Sequence, residues 1–336
     1  MAIRLKDIAR ELNVSVITVS KALRGNTDIS EATRQRILAR MRELDYRPNM
    51  IARSLATGQS FIIGLIIPDL INPFFAELAK ALGGALRNQN YGLILASSEE
   101  NPETEQAEIR MMLARGVDAL LLVSCQPSLE NLFGPGAPST PVILVDRAYP
   151  QARAHFVGID DYAGGRLATE HLIQLGRKRL AYIGSPDLIA AHDRFRGFRE
   201  SLGDHGIELR EELILPSAIP NDPGDSAGYE IMRKLLALTP RPDGVFCHND
   251  VIAIGAMKAT LDAGLRIPAD IAFVGFDNVR YSKYLQVPLT SIDQSIARLG
   301  ETAAQLTLDL LANKSEEPRT ILLGPELVVR QSTLGI

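Results

Sequence analysis

Apolar positions near the start of the chain recur every three or four residues and predict two short helices. The first helix has the i, i+3, i+4, i+7 spacing of one buried stripe, at Leu5, Ile8, Ala9 and Leu12. Asn13 interrupts this stripe, and Ser15 is of a residue type that caps helix N-termini. In the second helix the residues predicted to be buried are Val19, Ala22 and Leu23. Such a helical hairpin occurs on enzyme surfaces as well as in DNA-binding domains.

From Phe61 onward, short apolar runs alternate with amphipathic segments. The runs that predict buried strands are FIIGLIIP, YGLILAS, VDALLLVS, PVILVD, HFVGID, LAYIGS, ELILP, GVFCHN and IAFVGFD. Helices are predicted between them at 74–88, 103–115, 162–175, 192–205, 225–238 and 250–263. We therefore predict an α/β fold, in which an all-α head precedes two lobes, each a parallel sheet flanked by helices on both faces.

Three chain crossings between the lobes are predicted, near residues 161, 290 and 320. They assign about 61–160 and 292–320 to the first lobe, and about 161–290 and 321–334 to the second. The helical segment LGETAAQLTLDLLAN returns to the first lobe, and the strand-like ELVVR finishes on the second. Three parallel connections are typical of a hinge that lets two lobes close on a ligand.

The outer face of the second helix carries residues that can contact DNA, namely Val16, Ile17, Ser20, Lys21 and Arg24. Apolar groups can meet thymine methyls, cations can reach guanine acceptors, and hydroxyls can hold phosphates. The first 60 residues contain 11 Lys or Arg and 6 Asp or Glu, a net charge of +5, whereas the whole chain carries −4 and the remainder therefore −9. A basic head on an acidic body is typical of a nucleic-acid binder. Four arginines of the third helix also fit a merely solvated helix face: Arg34, Arg36, Arg40 and Arg42.

Four stretches resemble the DNA-binding head of the lac repressor family (LacI/GalR): LKDIARELNVS, TVSKALRG, S-x-x-T-R-Q-R-I and LDYRPNMIARSLATG. The resemblance extends to about Gln331. It implies a helix-turn-helix head at 1–47, a hinge helix and linker at 48–60, and a periplasmic-binding-protein-like core for effector binding and dimerisation at 61–336. Lys21 and Arg24 depart from the family's usual Arg and Asn, so the operator sequence does not carry over.

The residues predicted to contact DNA are Leu5, Lys6, Ser15, Val16, Ile17, Thr18, Ser20, Lys21, Arg24, Asn49, Ala52, Arg53 and Leu55. In the hinge, Pro48 fixes the entry and Asn49 can cap about two helical turns, fewer than the roughly 12 to 15 residues that an isolated helix needs in water. The resemblance implies that Leu55 wedges into the minor groove at the operator centre. A plain linker is the alternative, since the Gly-Gln-Ser that follows at 58–60 already suits one.

Polar side chains follow several predicted strands, where open α/β sheets bind ligands. Carboxylates and amides at such positions suit a polyhydroxylated molecule, because each hydroxyl both donates and accepts. The resemblance implies effector contacts from Asp146, Arg194, Asn249, Asp277 and Gln294, with Ser124 and Phe74 from the first lobe. Helix capping is an equal alternative for Asp160, Asp161 and Asp250. A sugar or sugar derivative is the expected effector. A purine stays open, because Phe74 and Phe75 can stack on a sugar face or a base.

Other chemistry is weakly indicated. The chain lacks an apolar opening behind basic residues and a run of 18 apolar residues, so we expect a cytoplasmic protein without signal peptide or membrane span. Cys125 and Cys247 lie in apolar runs without metal-ligand spacing. The glycine pairs Gly83-Gly84 and Gly164-Gly165 do not form a dinucleotide fingerprint and instead predict close helix packing. We therefore predict no metal and no cofactor.

The sequence predicts a homodimeric transcription regulator, most simply a repressor, whose two heads read a pseudopalindromic double-stranded DNA operator. A small molecule bound between the lobes would control the affinity for this operator. One alternative is a solute-binding protein that feeds a transporter, against which the basic head and the missing signal peptide argue. Another is an enzyme acting on sugars or nucleosides, with Asp160 and Asp161 as acid and base.

Overall fold

The computed structural model divides the chain into two compact units, Met1–Ser60 and Phe61–Ile336. It describes residues 3–23, 28–46, 54, 57–133, 136–184, 189–216, 224–312 and 317–334. The predictions for Arg24, Asn49, Ala52, Arg53 and Leu55, and with them most of the predicted hinge at 48–60, lie outside the described residues.

Within residues 3–23 and 28–46, the first unit contains the helices α1 (Leu5–Glu11), α2 (Val16–Leu23) and α3 (Glu31–Glu43). Their core consists of Ile8, Ala9, Val19, Ala22, Ile37 and Met41. Ser15 caps α2 as predicted, because its Oγ accepts a hydrogen bond from the Thr18 amide at 3.0 Å. The prediction that Leu23 is buried is wrong: it is 37% exposed and is the last residue of α2, next to the buried Ala22.

The second unit alternates strands and helices along its length. Its first elements are β1 (Ile62–Ile67), α4 (Pro73–Arg87), β2 (Gly92–Ser97), α5 (Pro102–Ala114), β3 (Ala119–Leu122), α6 (Glu130–Phe133), β4 (Val142–Val145) and β5 (His155–Ile159). Next come α7 (Asp161–Gln174), β6 (Leu180–Ile183), α8 (Ile189–Asp204), β7 (Ile214–Leu215), α9 (Asp225–Leu236), β8 (Gly244–Cys247) and α10 (Asp250–Asp262). The last are β9 (Ala272–Asp277), β10 (Thr290–Asp293), α11 (Ile296–Ala312), β11 (Thr320–Leu323) and β12 (Glu326–Val328).

These strands form two six-stranded sheets, and the predicted α/β class is confirmed. The first sheet has the order β11-β5-β4-β3-β1-β2, with every pair parallel, and the second has the order β12-β10-β9-β8-β6-β7, with only β12 antiparallel. Each sheet is covered by apolar clusters on both faces, as its near-continuous runs of buried residues predict. The carboxyl ends of the parallel strands therefore gather the polar residues that follow them.

Two of the predicted lobe boundaries need correction. Thr290–Asp293 pairs entirely with β9, so the second lobe extends to Asp293 and residues 292 and 293 do not belong to the first. Thr320–Leu323 pairs with β5, so the first lobe extends to Leu323, and the last crossing falls at residues 324–325. The second error arose because Thr320–Leu323 and Glu326–Val328 are short strands with similar patterns, and only their hydrogen-bonding partners separate them.

Among the described residues, no helix is long and apolar enough to cross a membrane, and no group of three or more His, Cys, Asp or Glu side chains is arranged to hold a metal ion.

Candidate DNA interface and effector site

The N-terminal half of α2 presents an exposed apolar pair. Val16 is 45% and Ile17 66% exposed, although each carries a large apolar side chain. Of the other residues predicted to contact DNA, Ser15 and Lys6 are exposed. Leu5, Thr18 and Ser20 are partly buried. A helix whose first turn offers uncovered apolar groups beside a hydroxyl has the composition of a major-groove reader.

The cations of the head differ in their availability. Lys21 forms an ion pair with Asp28, so its ammonium is held within the head. Arg36 donates to the Leu12 carbonyl at 2.6 Å, and Arg40 donates to Glu11 at 2.7 Å. These two arginines therefore join α3 to α1. They do not form a merely solvated helix face, which was the alternative that the sequence left open.

In the second lobe, polar side chains converge on Arg194 of α8. Its Nε donates to Asp161 at 2.6 Å, and its Nη1 donates to the His248 carbonyl at 2.7 Å and lies 3.9 Å from Asp277. The guanidinium carbon lies 3.6 Å from the centre of the Phe276 ring. Arg194 is thus buried but held on several sides, as a buried charge requires.

The close crossing of α7 and α8 brings Arg194 to Asp161. A Cβ at Gly165 would lie 2.2 Å from the Arg194 carbonyl oxygen, and a Cβ at Gly197 would lie 2.4 Å from the Tyr162 carbonyl oxygen. Only glycine at these two positions permits this approach. The predicted use of Gly165 for close helix packing is confirmed.

Asp277 ends β9 in an uncommon backbone conformation. Its φ is 103° and that of Asn278 is 51°, both in the left-handed region that non-glycine residues rarely adopt. The Asp277 carboxyl is 3% exposed and accepts a hydrogen bond from Gln294 Nε2 at 2.6 Å. Gln294 Oε1 is buried without a hydrogen-bond partner among the described residues.

Asp250 holds this turn in place. Its carboxylate accepts hydrogen bonds from Ser291 Oγ and Ser282 Oγ, both at 2.6 Å, and from the Val279 amide at 2.9 Å. Ser291 Oγ in turn accepts from the Asn278 amide at 3.0 Å. Asp250 is therefore neither a helix cap nor an exposed ligand contact, the two roles the sequence left open. It positions the backbone that carries Asp277.

Asp146 brings a third carboxyl to this cluster from the first lobe. It follows β4 with a φ of 66°, is 4% exposed, and its Oδ1 has no hydrogen-bond partner among the described residues. Its neighbour Arg147 is clamped by two hydrogen bonds to Glu100, at 2.5 and 2.9 Å.

The electrostatics of these groups link the two lobes. Burial raises the pKa of Asp146, and the nearby Arg194 opposes this rise. Burial likewise raises the pKa of Asp161 to about 7 and that of Asp277 well above its ordinary value, and the Asp146 charge adds to both increases. Burial, with Arg194 and Arg147 nearby, lowers the pKa of His248 to about 3, so its imidazole is neutral. Perturbed groups from both sheets meeting at strand ends are typical of a functional site.

Three other predicted effector residues have partners of their own. Asn249 Oδ1 caps α10 by accepting from the Ile252 amide at 2.9 Å, which leaves its amide nitrogen 3.4 Å from His248 Nε2. Ser124 is fully buried and donates to Glu105 at 2.6 Å. Phe74 is 2% exposed and packs edge-on against Phe75 in the first-lobe core.

The predicted effector set omits two members of the cluster, Asp161 and His248. Asp161 follows Asp160 in the sequence, but only Asp160 caps α7, through the Ala163 amide at 2.9 Å. Asp161 is the first residue of α7, and no sequence signal separates it from the capping Asp160. His248 precedes the predicted Asn249 and carries no sequence signal of its own.

Both units of the chain are similar to known protein families. A family model described as bacterial regulatory proteins, lacI family, matches residues 4–49, and a periplasmic binding protein-like domain matches residues 169–333. The HTH-type transcriptional repressor PurR of Mannheimia succiniciproducens is 32% identical over 99% of both chains. PurR of Yersinia enterocolitica is 35% identical over 98% of this chain and 96% of that protein.

Solved structures agree with these relatives. The lac repressor dimer bound to operator and the anti-inducer ONPF is 26% identical, covers 100% of both chains and has a TM-score of 0.86. The complex of the transcriptional regulator CelR with cellobiose is 28% identical over 98% of this chain and 99% of that one, with a TM-score of 0.73.

Proposed function

This chain belongs to the lacI family of bacterial regulatory proteins, and we propose that its effector is a sugar or sugar derivative bound between the two lobes of the core. The family makes the chain a DNA-binding transcriptional regulator of the repressor type, controlled by a small molecule. It is not an enzyme, so Asp160 and Asp161 are not an acid and base pair.

The observation that carries the proposal is the meeting of Asp146 with Arg194, Asp277 and Gln294 at the strand ends of two sheets. Carboxyls, an amide and a guanidinium offer acceptors and donors side by side. A sugar ring presents hydroxyl groups that donate and accept at once, which such a mixed set can satisfy. The cellobiose complex of CelR adds support from a structural neighbour.

We assign functions along the chain accordingly. Residues 1–47 bind DNA, 48–60 form the hinge, with Leu55 as the minor-groove wedge, and 61–336 bind the effector and dimerise. Two chains bind one pseudopalindromic operator, for which the lac repressor dimer on its operator is the supporting neighbour. Effector binding changes how the two lobes sit and so changes the affinity for DNA.

The test combines a ligand screen with DNA binding. Sugars and nucleobases are added singly to the full chain, and the melting midpoint is measured, because a ligand that binds the folded state raises it. DNA selected from a random pool then reports the operator affinity with and without each stabilising compound. We expect a sugar to raise the midpoint and to change the DNA affinity.

The variant Asp277→Ala provides the matched control. It should still bind the selected DNA, because its change lies in the core, but the sugar should no longer alter that affinity. A nucleobase as the only stabilising compound would refute the sugar assignment. A sugar that stabilises the chain and leaves DNA binding unchanged would refute the regulatory role.

A further inference from the structure

The cluster around Arg194 contains more carboxyl groups than cations. Asp146, Asp161 and Asp277 all act electrostatically on Arg194, and Glu100 acts on Asp146. Two cations act on these carboxyls, Arg194 and Arg147. The nearby His248 imidazole is neutral and adds no positive charge. The four carboxyls outnumber the two guanidiniums, so each cation already faces more than one carboxyl.

We infer that this site takes an uncharged or amine-bearing ligand rich in hydrogen-bond donors, and rejects phosphorylated or carboxylated sugars. The inference rests on the proposed function and narrows its ligand class. Its basis is the engagement of both guanidiniums by carboxyl groups, together with the unfilled acceptors of Asp146 and Gln294.

Both guanidiniums already have partners that limit their use for an anion. Arg194 donates hydrogen bonds to Asp161 and to the His248 carbonyl, and its guanidinium lies against the Phe276 ring. Arg147 is held by both oxygens of Glu100 and also donates to the Ser124 carbonyl at 3.3 Å. A phosphate would thus have to compete with existing carboxylates for each cation, while being repelled by the others.

Two buried acceptors lack donors, which defines what the ligand must bring. Asp146 Oδ1 comes from the first lobe and Gln294 Oε1 from the second, and neither has a hydrogen-bond partner among the described residues. A buried acceptor without a donor destabilises the folded protein. A ligand O–H or N–H that donates to these atoms forms a new hydrogen bond and removes that destabilisation. An anionic group at the same atoms would place two acceptors face to face.

The first test needs no ligand. At neutral pH the Asp146→Asn variant should melt about 2 to 4 °C above the parent, because burial disfavours the ionised carboxyl in the folded chain and an amide does not ionise. The matched control is Asp160→Asn, at the end of the neighbouring strand β5, where an amide oxygen can cap α7 as well as the carboxylate does. Its midpoint should stay unchanged. A midpoint of Asp146→Asn equal to or below that of the parent would overturn the inference.

The second test uses pairs of probes that differ by one charged substituent: glucose with glucose 6-phosphate, ribose with ribose 5-phosphate, galactose with galacturonate, and glucosamine with glucose. In none of the first three pairs should the anionic member raise the midpoint more than its neutral partner, and glucosamine should stabilise at least as well as glucose. A sugar phosphate or sugar acid that stabilises more than its neutral partner would overturn the charge preference. If that anion also changed DNA affinity, the proposed regulation would stand while the charge preference fell.

Discussion

The strand ends of the two lobes use polar side chains in opposite ways. In the first lobe, the buried Glu105 is satisfied within the lobe, because Ser124 Oγ and the Cys125 amide donate to it at 2.6 and 2.7 Å. In the second lobe, Arg194 and Asp277 are buried just as deeply, but Gln294 keeps an acceptor without a donor. The first arrangement is complete without a ligand and the second is not.

This difference separates structural polar residues from binding ones better than residue type does. Ser124 and Asp277 both follow strands and both resemble effector-contacting positions. Only Asp277 lies in a cluster with unfilled acceptors and a strained backbone. Asp146 is the first-lobe residue that shares this property, so the first lobe contributes to the site mainly through that one side chain.

The largest effect is expected from Gly165→Ala in the second lobe. Its Cβ would overlap the Arg194 carbonyl oxygen, so α7 and α8 must separate, at a cost of about 1 to 3 kcal/mol in unfolding free energy. Because Arg194 moves away from Asp161, the affinity for a stabilising sugar should fall by about tenfold or more, equivalent to about 1.4 kcal/mol. Urea unfolding and sugar titration measure the two effects.

Gly203→Ala in the same helix α8 is the control, because no atom lies within 4 Å of a Cβ there. It should keep the parent's sugar affinity and gain slightly in stability. Equal sugar affinity in Gly165→Ala and the parent would show that the helix crossing does not set the position of Arg194.

Ser124→Ala in the first lobe should lower the unfolding free energy and leave the sugar affinity nearly unchanged. It leaves the buried Glu105 with one donor fewer, which costs about 1 to 3 kcal/mol in unfolding free energy. Sugar affinity should stay within about twofold of the parent, a change of less than about 0.5 kcal/mol. A tenfold loss of affinity without loss of stability would place Ser124 in the site after all and break the contrast between the lobes.

The stability of the ligand-free core should fall as the pH rises from about 4 to about 7. The folded chain raises the pKa of Asp161 to about 7 and that of Asp277 well above the ordinary value of about 4, with burial as the main cause. In that interval the unfolded chain has already lost these protons and the folded chain still holds them, so each further rise in pH disfavours the folded state.

Asp277→Asn removes one of these titrations, and its midpoint should decline less steeply with pH than that of the parent. Thermal melts at several pH values between 4 and 7 measure both slopes. Parallel slopes for the two chains would mean that Asp277 ionises as easily in the folded core as in the unfolded chain.

The smallest effect is expected from Glu100→Gln in the first lobe. Its side chain is half exposed, and losing such an ion pair typically costs less than about 1 kcal/mol. Because Arg147 then loses its counter-charge, the preference for a neutral sugar over its phosphate should weaken modestly, as competition titrations would detect. An unchanged preference would exclude Arg147 from the electrostatics of the site.

Much of the fold could be predicted from the sequence because each strand and helix carries its own pattern. The order of elements, the Ser15 cap and the close packing at Gly165 all follow from local residue types. The predictions of a buried Leu23 and of the last crossing between the lobes were wrong. Burial at a helix end and the choice of sheet for Thr320–Leu323 both depend on partners far away in the chain.

The site was predictable in part for the same reason. Asp160, Asp161 and Asp250 all stand at the junction of a strand and a helix, so local sequence gives them the same two alternatives. Their roles diverge through distant partners: Asp161 meets Arg194, 33 residues away, and Asp250 meets Ser291, 41 residues away. No pattern within a single element distinguishes these cases.

The arginines that join α3 to α1 bear on how the head responds to salt. Protein cations that neutralise DNA phosphates release condensed counterions, and each adds about 0.9 to the slope of log affinity against log salt concentration. Arg36 and Arg40 are engaged by the Leu12 carbonyl and by Glu11. Counterion release on DNA binding should therefore be smaller than the number of basic residues in the head suggests, and binding should tolerate salt correspondingly better.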